Sequence, residues 1–524
     1  AITFLGDSVQ PDKLVFHIEN RSSKALKIEG ARLYLPKSAD TWRVFYPQTS
    51  LRDLLPFSAD GIIPPKDKGG AEVVTGKLPL TYCVLEVTLK DPKGQPLSLW
   101  AKLRIKREAF DISGGWVTDS HTRDDRPSVL HEAFLKTLKR LHINTAHIGM
   151  LPGYTDQIEP NGLYSRYPLK FFGGLEPISA YDTDANLSRV HGVESLGEPQ
   201  YGGGSGQKMP QEVLRALEKY APSRFATTLT LSDEANWRYY AGLSDYPHYD
   251  AYRVTAPSPD SWRRYERWGE TRIGWGAPLE TIGDMCRSLR EMSRPAPTAY
   301  WSQGPHQGWD VYDGRQRTSP TPDELRLQAY HALASRITSL YWFNLSLRSL
   351  VLFRDTLDEV ARVGREIKML ESFYLKGDAY QYRQLHKEGK PDWDLASIVS
   401  PEGALLFALD LDYTPDPIEK VFRFHPPRPA EFAFELPSYL RRPVDVFRID
   451  ADGVHEVAYH LTKHGVTIQD KTNRVAIYVA TPSRNLRTHL EKRRQQLLAE
   501  EESTHFDPAS NNEDFATLKS ISRP

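Results

Sequence analysis

The sequence predicts a multidomain α/β protein in which a central (β/α)8 TIM barrel is flanked by N-terminal and C-terminal β-sandwich domains. Three observations carry that expectation. The chain has 524 residues, more than one hydrophobic core usually supports. Its middle alternates short apolar runs with helical periodicities, which is the rhythm of a closed parallel barrel. Both flanks instead carry short alternating segments bounded by Asn, Asp, Pro and Gly.

Residues 1–108 hold "KLVFHIEN", "ALKIEGARLYL", "CVLEVTLKD" and "SLWAKLRIKRE", four alternating segments that suggest an immunoglobulin-like sandwich. Residues 109–380 contain eight strand-then-helix candidates. "SGGWVTD" leads to "SVLHEAFLKTLKRLH", and "INTAHIGML" and "LKFFGGLEPI" follow as strands. "QEVLRALEKYA" is a helix before the strand "FATTLTL", read as the fourth. "PHYDAYRVT" precedes the Arg-rich helix "SWRRYERWG", and "TRIGWGAP", read as the sixth strand, precedes "LETIGDMCRSLREM". "TAYWSQG" and "SLYWFNLS" lead to the last two helices. The Gly-rich "VHGVESLGEPQYGGGSGQ" is read as a loop over the barrel mouth, because it lacks the Gly-Lys-Ser/Thr ending of a phosphate-binding loop. Residues 381–482 return to strands, such as "WDLASIVS" and "ALLFALDLDY". Residues 483–524 open with the charged helix "RNLRTHLEKRRQQLLAEEE", whose Leu486, Leu490, Leu497 and Leu498 form an apolar stripe for docking or pairing, and end in a polar tail.

Lys and Arg total 67 against 68 for Asp and Glu, so no global field favours nucleic acid or an anionic membrane. No apolar run is long enough to span a bilayer. The compartment stays open. A signal peptide removed ahead of Ala1 would make the protein secreted or periplasmic. The two cysteines, Cys83 and Cys286, make neither a disulfide framework nor a metal cluster, and no cofactor is expected.

Barrel chemistry is built at the C-terminal ends of the strands. "FATTLTL" runs straight into Asp233 and Glu234, two adjacent carboxylates that repel unless something separates them. Asp119 and His121 follow the first predicted strand, with two ligands and no third for a metal. His147 and Tyr154 follow the second, Tyr252 the fifth and Trp275 the sixth. Tyr300, Trp301 and Gln303 end the seventh, Trp342 and Asn344 the eighth. Indole faces stack on sugar rings while carboxylates and amides bind hydroxyls, so this ring of residues reads as a carbohydrate pocket. Each also has a plainer reading: Asp-Glu caps helix starts, and large aromatics fill cores.

Most glycosidases set two carboxylates on opposite sides of the scissile bond. The predicted seventh strand ends "YWSQG", with no acid, and Glu280 reads as a helix-start charge. The "SDE" strand end, the aromatic ends "AYWSQG" and "YWFNLS" and the flanking sandwiches resemble the Asp-Glu β-N-acetylhexosaminidases, closest to the glycoside hydrolase family 123 type of β-N-acetylgalactosaminidase. The family 20 motif His-x-Gly-Gly-Asp-Glu is absent, since "TLTLSDE" stands there. The resemblance implies substrate-assisted, retaining hydrolysis of terminal β-linked N-acetylgalactosamine or a related 2-acetamido sugar. Glu234 would serve as acid/base, kept protonated by an apolar setting, and Asp233 would orient the acetamido group. Two alternatives stay open. One is a two-carboxylate glycosidase pairing Glu234 with Asp119, Glu176 or Asp310; the other is a carbohydrate-binding barrel without turnover.

Overall fold

The computed structural model describes residues 1–6, 10–51, 53–106, 109–116, 132–150, 166–174, 190–194, 196–200, 206–232, 234–254, 275–305, 315–345 and 352–504. Two antiparallel sheets form the N-terminal unit. One is ordered Ile2–Leu5, Lys13–Asn20, Asp67–Val74 and Leu55–Pro56; the other runs Phe45–Leu51, Leu26–Pro36, Tyr82–Lys90 and Pro96–Arg104. Alternation supplies their shared core, with Phe4, Phe16, Leu33 and Leu85 facing inward.

Eight parallel strands close the barrel: Asp111–Trp116, Thr145–Met150, Lys170–Gly174, Val190–Val193, Ala226–Leu231, Tyr246–Asp250, Ala299–Gln303 and Ser339–Phe343. The predicted TIM barrel is therefore present, but two strand assignments change. The fourth strand is "VHGV", inside the segment read as a loop, so "FATTLTL" is the fifth strand. Its glycine explains both the packing and the missed signal: a Cβ on Gly192 would lie 2.6 Å from the Tyr246 hydroxyl. A four-residue strand carrying Gly and His offers little periodicity to read. The predicted sixth strand is not one in its described part. Trp275 there packs on Phe422 of the C-terminal unit, with ring centroids 5.0 Å apart. The true sixth strand is Tyr246–Asp250.

The helices Glu132–Arg140, Pro210–Glu218, Glu280–Ser293, Pro322–Leu333 and Arg354–Lys376 fall where their periodicities predict. Pro322–Leu333 starts on a capping box, in which the Thr321 hydroxyl accepts from the Glu324 N–H. The Arg-rich "SWRRYERWG" lies outside the described residues. Arg354–Lys376 leads into the C-terminal unit, a six-stranded and a three-stranded antiparallel sheet packed around Trp393, Phe432 and Tyr478. The helix Leu486–Ser503 turns back onto the barrel. It buries Leu490 and Leu497 there, and Glu501 meets Arg365 at 2.6 Å and His142 at 2.8 Å. Its apolar stripe is thus used for docking within the chain. No helix among the described residues is long and apolar enough to cross a membrane.

Candidate active site at the barrel mouth

Side chains alternate across each barrel strand, and the two sets enter different cores. Phe172, Ala299, Trp301 and Tyr341, with Phe343 beside them, pack inside the barrel. The Phe172 and Tyr341 rings stack at 5.0 Å. Tyr249, Tyr300 and Trp342 instead join the layer between the strands and the helices. This parity decides which sequence candidates reach the mouth.

Above the aromatic floor stand His147 on the second strand, Glu194 just after the fourth, Thr230 on the fifth and Asp250 on the sixth. His147 Nε2 lies 2.7 Å from one oxygen of Glu194. Thr230 donates its hydroxyl to the other. Burial alone would raise the Glu194 carboxyl, but His147, His248 and Thr230 outweigh it and hold it down at about 2. Glu194 is therefore a fixed carboxylate.

Asp250 has the opposite environment. Its carboxyl is pushed well above the usual range, first by burial and then by the negative charge of Glu198, against the hydrogen bond from Tyr252. Glu198 is itself held by the Ser232 hydroxyl at 2.5 Å. Asp250 is half-buried at the end of the sixth strand. The Tyr252 ring lies 5.7 Å from Phe343. Gln303 is buried and accepts from the Val254 N–H at 3.1 Å, tying the segment after the sixth strand to the end of the seventh. Trp301 donates its indole N–H to His248 Nδ1 at 3.3 Å, and burial lowers that imidazole to about 4. At Gly115, with φ +71°, a Cβ would lie 3.1 Å from Cβ of Asn344 and 3.2 Å from the Trp301 ring. The glycine lets those two residues close on the first strand.

His147, Tyr252, Trp301, Gln303 and Asn344 are thus brought to one end of the barrel, while four other candidates are not. Trp275, Tyr300 and Trp342 sit in the barrel-to-helix layer. Tyr300 is held there by donating to the Ala251 carbonyl at 2.9 Å. Glu234 also turns to this outer side. One of its oxygens accepts from the Tyr249 hydroxyl at 2.5 Å and from the buried Arg253 guanidinium, which also donates to Tyr249 at 2.7 Å. The expected apolar setting of Glu234 is replaced by a buried cation, the Arg253 guanidinium. Asp233, Asp119, His121, Tyr154, Glu176 and Asp310 lie outside the described residues. Glu280 accepts from the Tyr413 hydroxyl at 2.5 Å and so faces the C-terminal unit.

Sequence reading missed three acids: Glu194, Glu198 and Asp250. Two carried a signal, since "VHGVE" and "PHYD" each end an apolar run on a carboxylate. Among the described residues no group of three or more His, Cys, Asp or Glu is placed to hold a metal ion. Cys83 and Cys286 are buried and free.

No protein-family model matches the chain. No curated sequence matches it either. Among solved structures it is similar to a family 39 glycoside hydrolase from Bacteroides cellulosilyticus WH2, at 10% identity and a TM-score of 0.39 over 88% of this chain and 96% of that one. A putative glycoside hydrolase from Bacteroides vulgatus ATCC 8482 gives 8% identity and a TM-score of 0.43, covering 90% and 98%. A Paenibacillus cycloisomaltooligosaccharide glucanotransferase gives 9% and 0.44, covering 91% and 99%.

Proposed function

We propose that the protein is a glycoside hydrolase acting through two carboxyl groups at the barrel mouth, with Asp250 as general acid and Glu194 as the ionised partner. The observation that carries this reading is the opposite tuning of the two acids. Glu194 is held as a carboxylate by His147 and Thr230, while burial and the neighbouring Glu198 push the Asp250 carboxyl well above the usual range. Environments that push two carboxyl groups apart in this way divide acid from base. Asp250 protonates the departing glycosidic oxygen. Glu194 either attacks the anomeric carbon or activates a water against it, and the separation of the two groups in the bound complex sets retention or inversion. A pyranose entering the mouth meets the Trp301 indole and the Tyr252 phenol, with Gln303 and Asn344 beside them.

Hydrolysis of para-nitrophenyl β-glycosides of N-acetylgalactosamine, N-acetylglucosamine, galactose and glucose tests the reading, with Glu194→Gln and Asp250→Asn beside the wild type. Turnover lost in both variants is expected, and NMR of the first-formed anomer gives the stereochemistry. Full activity in both would overturn the assignment. Turnover confined to the acetamido sugars and lost in Asp233→Ala would favour instead the substrate-assisted route that the family 123 resemblance implies. Binding without hydrolysis would favour a carbohydrate-binding barrel.

A further inference from the structure

His248 stands two residues before Asp250 on the sixth strand, opposite Ala299 of the seventh, and is 0% exposed. Aromatic edges box it in, with ring centroids at 5.8 Å for Phe172 and 4.9 Å for Tyr341, both near perpendicular. Among the described residues its Nε2 meets no hydrogen-bond partner. Its hydrogen bond there is the one that Nδ1 accepts from the Trp301 indole N–H at 3.3 Å. Buried polar groups are ordinarily hydrogen-bonded, and for this imidazole that bond falls on Trp301.

An indole N–H can only donate, so Nδ1 keeps its lone pair and the proton sits on Nε2. Burial lowers the imidazole to about 4, against the pull of Glu194, so the ring is a neutral acceptor at neutral pH. Such a bond is not automatic for a buried indole: the N–H groups of Trp342 and Trp393 meet no acceptor. The contact then passes on. The Trp301 ring meets the His147 ring edge-on, with centroids 6.0 Å apart, and Phe172 meets the same imidazole edge-on at 4.7 Å. His147 Nε2 in turn lies 2.7 Å from Glu194. Edge-to-face pairs at these distances are favourable and directional, so the two aromatic rings set how His147 is turned.

We infer that His248 is a positioning residue for the proposed reaction: it fixes Trp301, and Trp301 with Phe172 holds the His147 ring against Glu194. The inference rests on the two-carboxylate reading of the mouth. His248 acts through the seventh and second strands on the acid that follows the fourth. Without the acceptor the indole is free to turn, His147 follows it, and Glu194 loses its alignment. A misplacement of about 1 Å at a catalytic group costs up to about a hundredfold in rate.

Two variants of the full chain separate positioning from packing. His248→Phe keeps an aromatic ring and removes the acceptor, whereas His248→Asn is smaller and keeps an acceptor oxygen near the place of Nδ1. Kinetics on the para-nitrophenyl glycoside that the wild type turns over, with thermal denaturation of each variant, test the role. His248→Phe should lower kcat by about ten- to a hundredfold with a smaller change in KM, and His248→Asn should retain more of kcat despite a lower Tm. A role in packing alone predicts the reverse order and would overturn the inference, as would wild-type kcat in His248→Phe. If His248→Phe fails to fold, His248→Leu takes its place with the same expectation. Full turnover in Glu194→Gln would sink the reading of the mouth instead. In that case, or where no glycoside is turned over, hydrogen exchange of the Trp301 indole proton, assigned through Trp301→Phe, still decides whether His248 holds Trp301. Exchange should be slow in the wild type and His248→Asn and faster in His248→Phe; equal rates in all three would overturn it.

Discussion

Glu194 and Asp250 carry the same functional group and differ only in their neighbours. The proposed reaction requires Glu194 without its proton and Asp250 with one. The acid limb of kcat/KM is therefore set near pH 2 by Glu194, and the alkaline limb by the raised Asp250. Glu198→Gln removes a like charge beside Asp250, so the alkaline limb should move to lower pH while the acid limb stays; a pH–rate profile reads this directly. Asp250→Asn should lower turnover by about a hundred- to ten-thousand-fold, the usual worth of a positioned acid. Stability follows the same chemistry. The depressed Glu194 carboxyl contributes stability above its unfolded value of about 4.3. That contribution is lost as pH falls toward about 2. Glu234 tests the competing assignment: Glu234→Gln leaves Arg253 as an uncompensated buried charge, at a cost of about 3–5 kcal/mol. Thermal denaturation should show a clear drop in Tm. A variant that keeps its Tm and loses only turnover would favour Glu234 as the acid.

At the scale of elements, one short strand moves the whole site. Once Val190–Val193 takes the fourth place in the barrel, Glu194 stands at a strand end and Gly197 lies beside the fifth strand, its carbonyl accepting from the Thr230 N–H at 3.1 Å. A glycine, a histidine and two valines give no alternation, and the contact with Tyr246 that demands the glycine is visible only in three dimensions. The C-terminal helix Leu486–Ser503 makes its own prediction. Leu497 is 1% exposed, so Leu497→Ala should cost about 2–5 kcal/mol, measured by chemical denaturation. Glu501 is held near 2, because Arg365 and His142 outweigh the burial that would raise it. Glu501→Gln should accordingly lose stability at neutral pH and match the wild type only at strong acid.

Across the whole molecule, the interface between barrel and C-terminal sandwich holds a carboxyl tuned to physiological pH. Burial raises Asp394 to about 7, against the nearby Arg287 and with the help of Glu280. A carboxyl raised on folding contributes stability below its unfolded value, and that contribution is lost as pH rises through the folded one. The protein should therefore weaken between about pH 4 and pH 7 at this position, and Asp394→Asn should remove the loss and raise Tm at pH 8. The three-part architecture was legible in the sequence, because strand alternation, helical periodicity and chain length are local or additive properties. It also placed His147, Tyr252, Trp301, Gln303 and Asn344 at strand ends. It could not tell Trp301 from Trp342, or Glu234 from Glu194. Which side of a closed barrel a residue faces depends on strand register and shear. Those are set when eight strands close on one another, and among the described residues that closure brings Glu194 and Asp250 to the strand ends while Glu234 turns outward to Arg253.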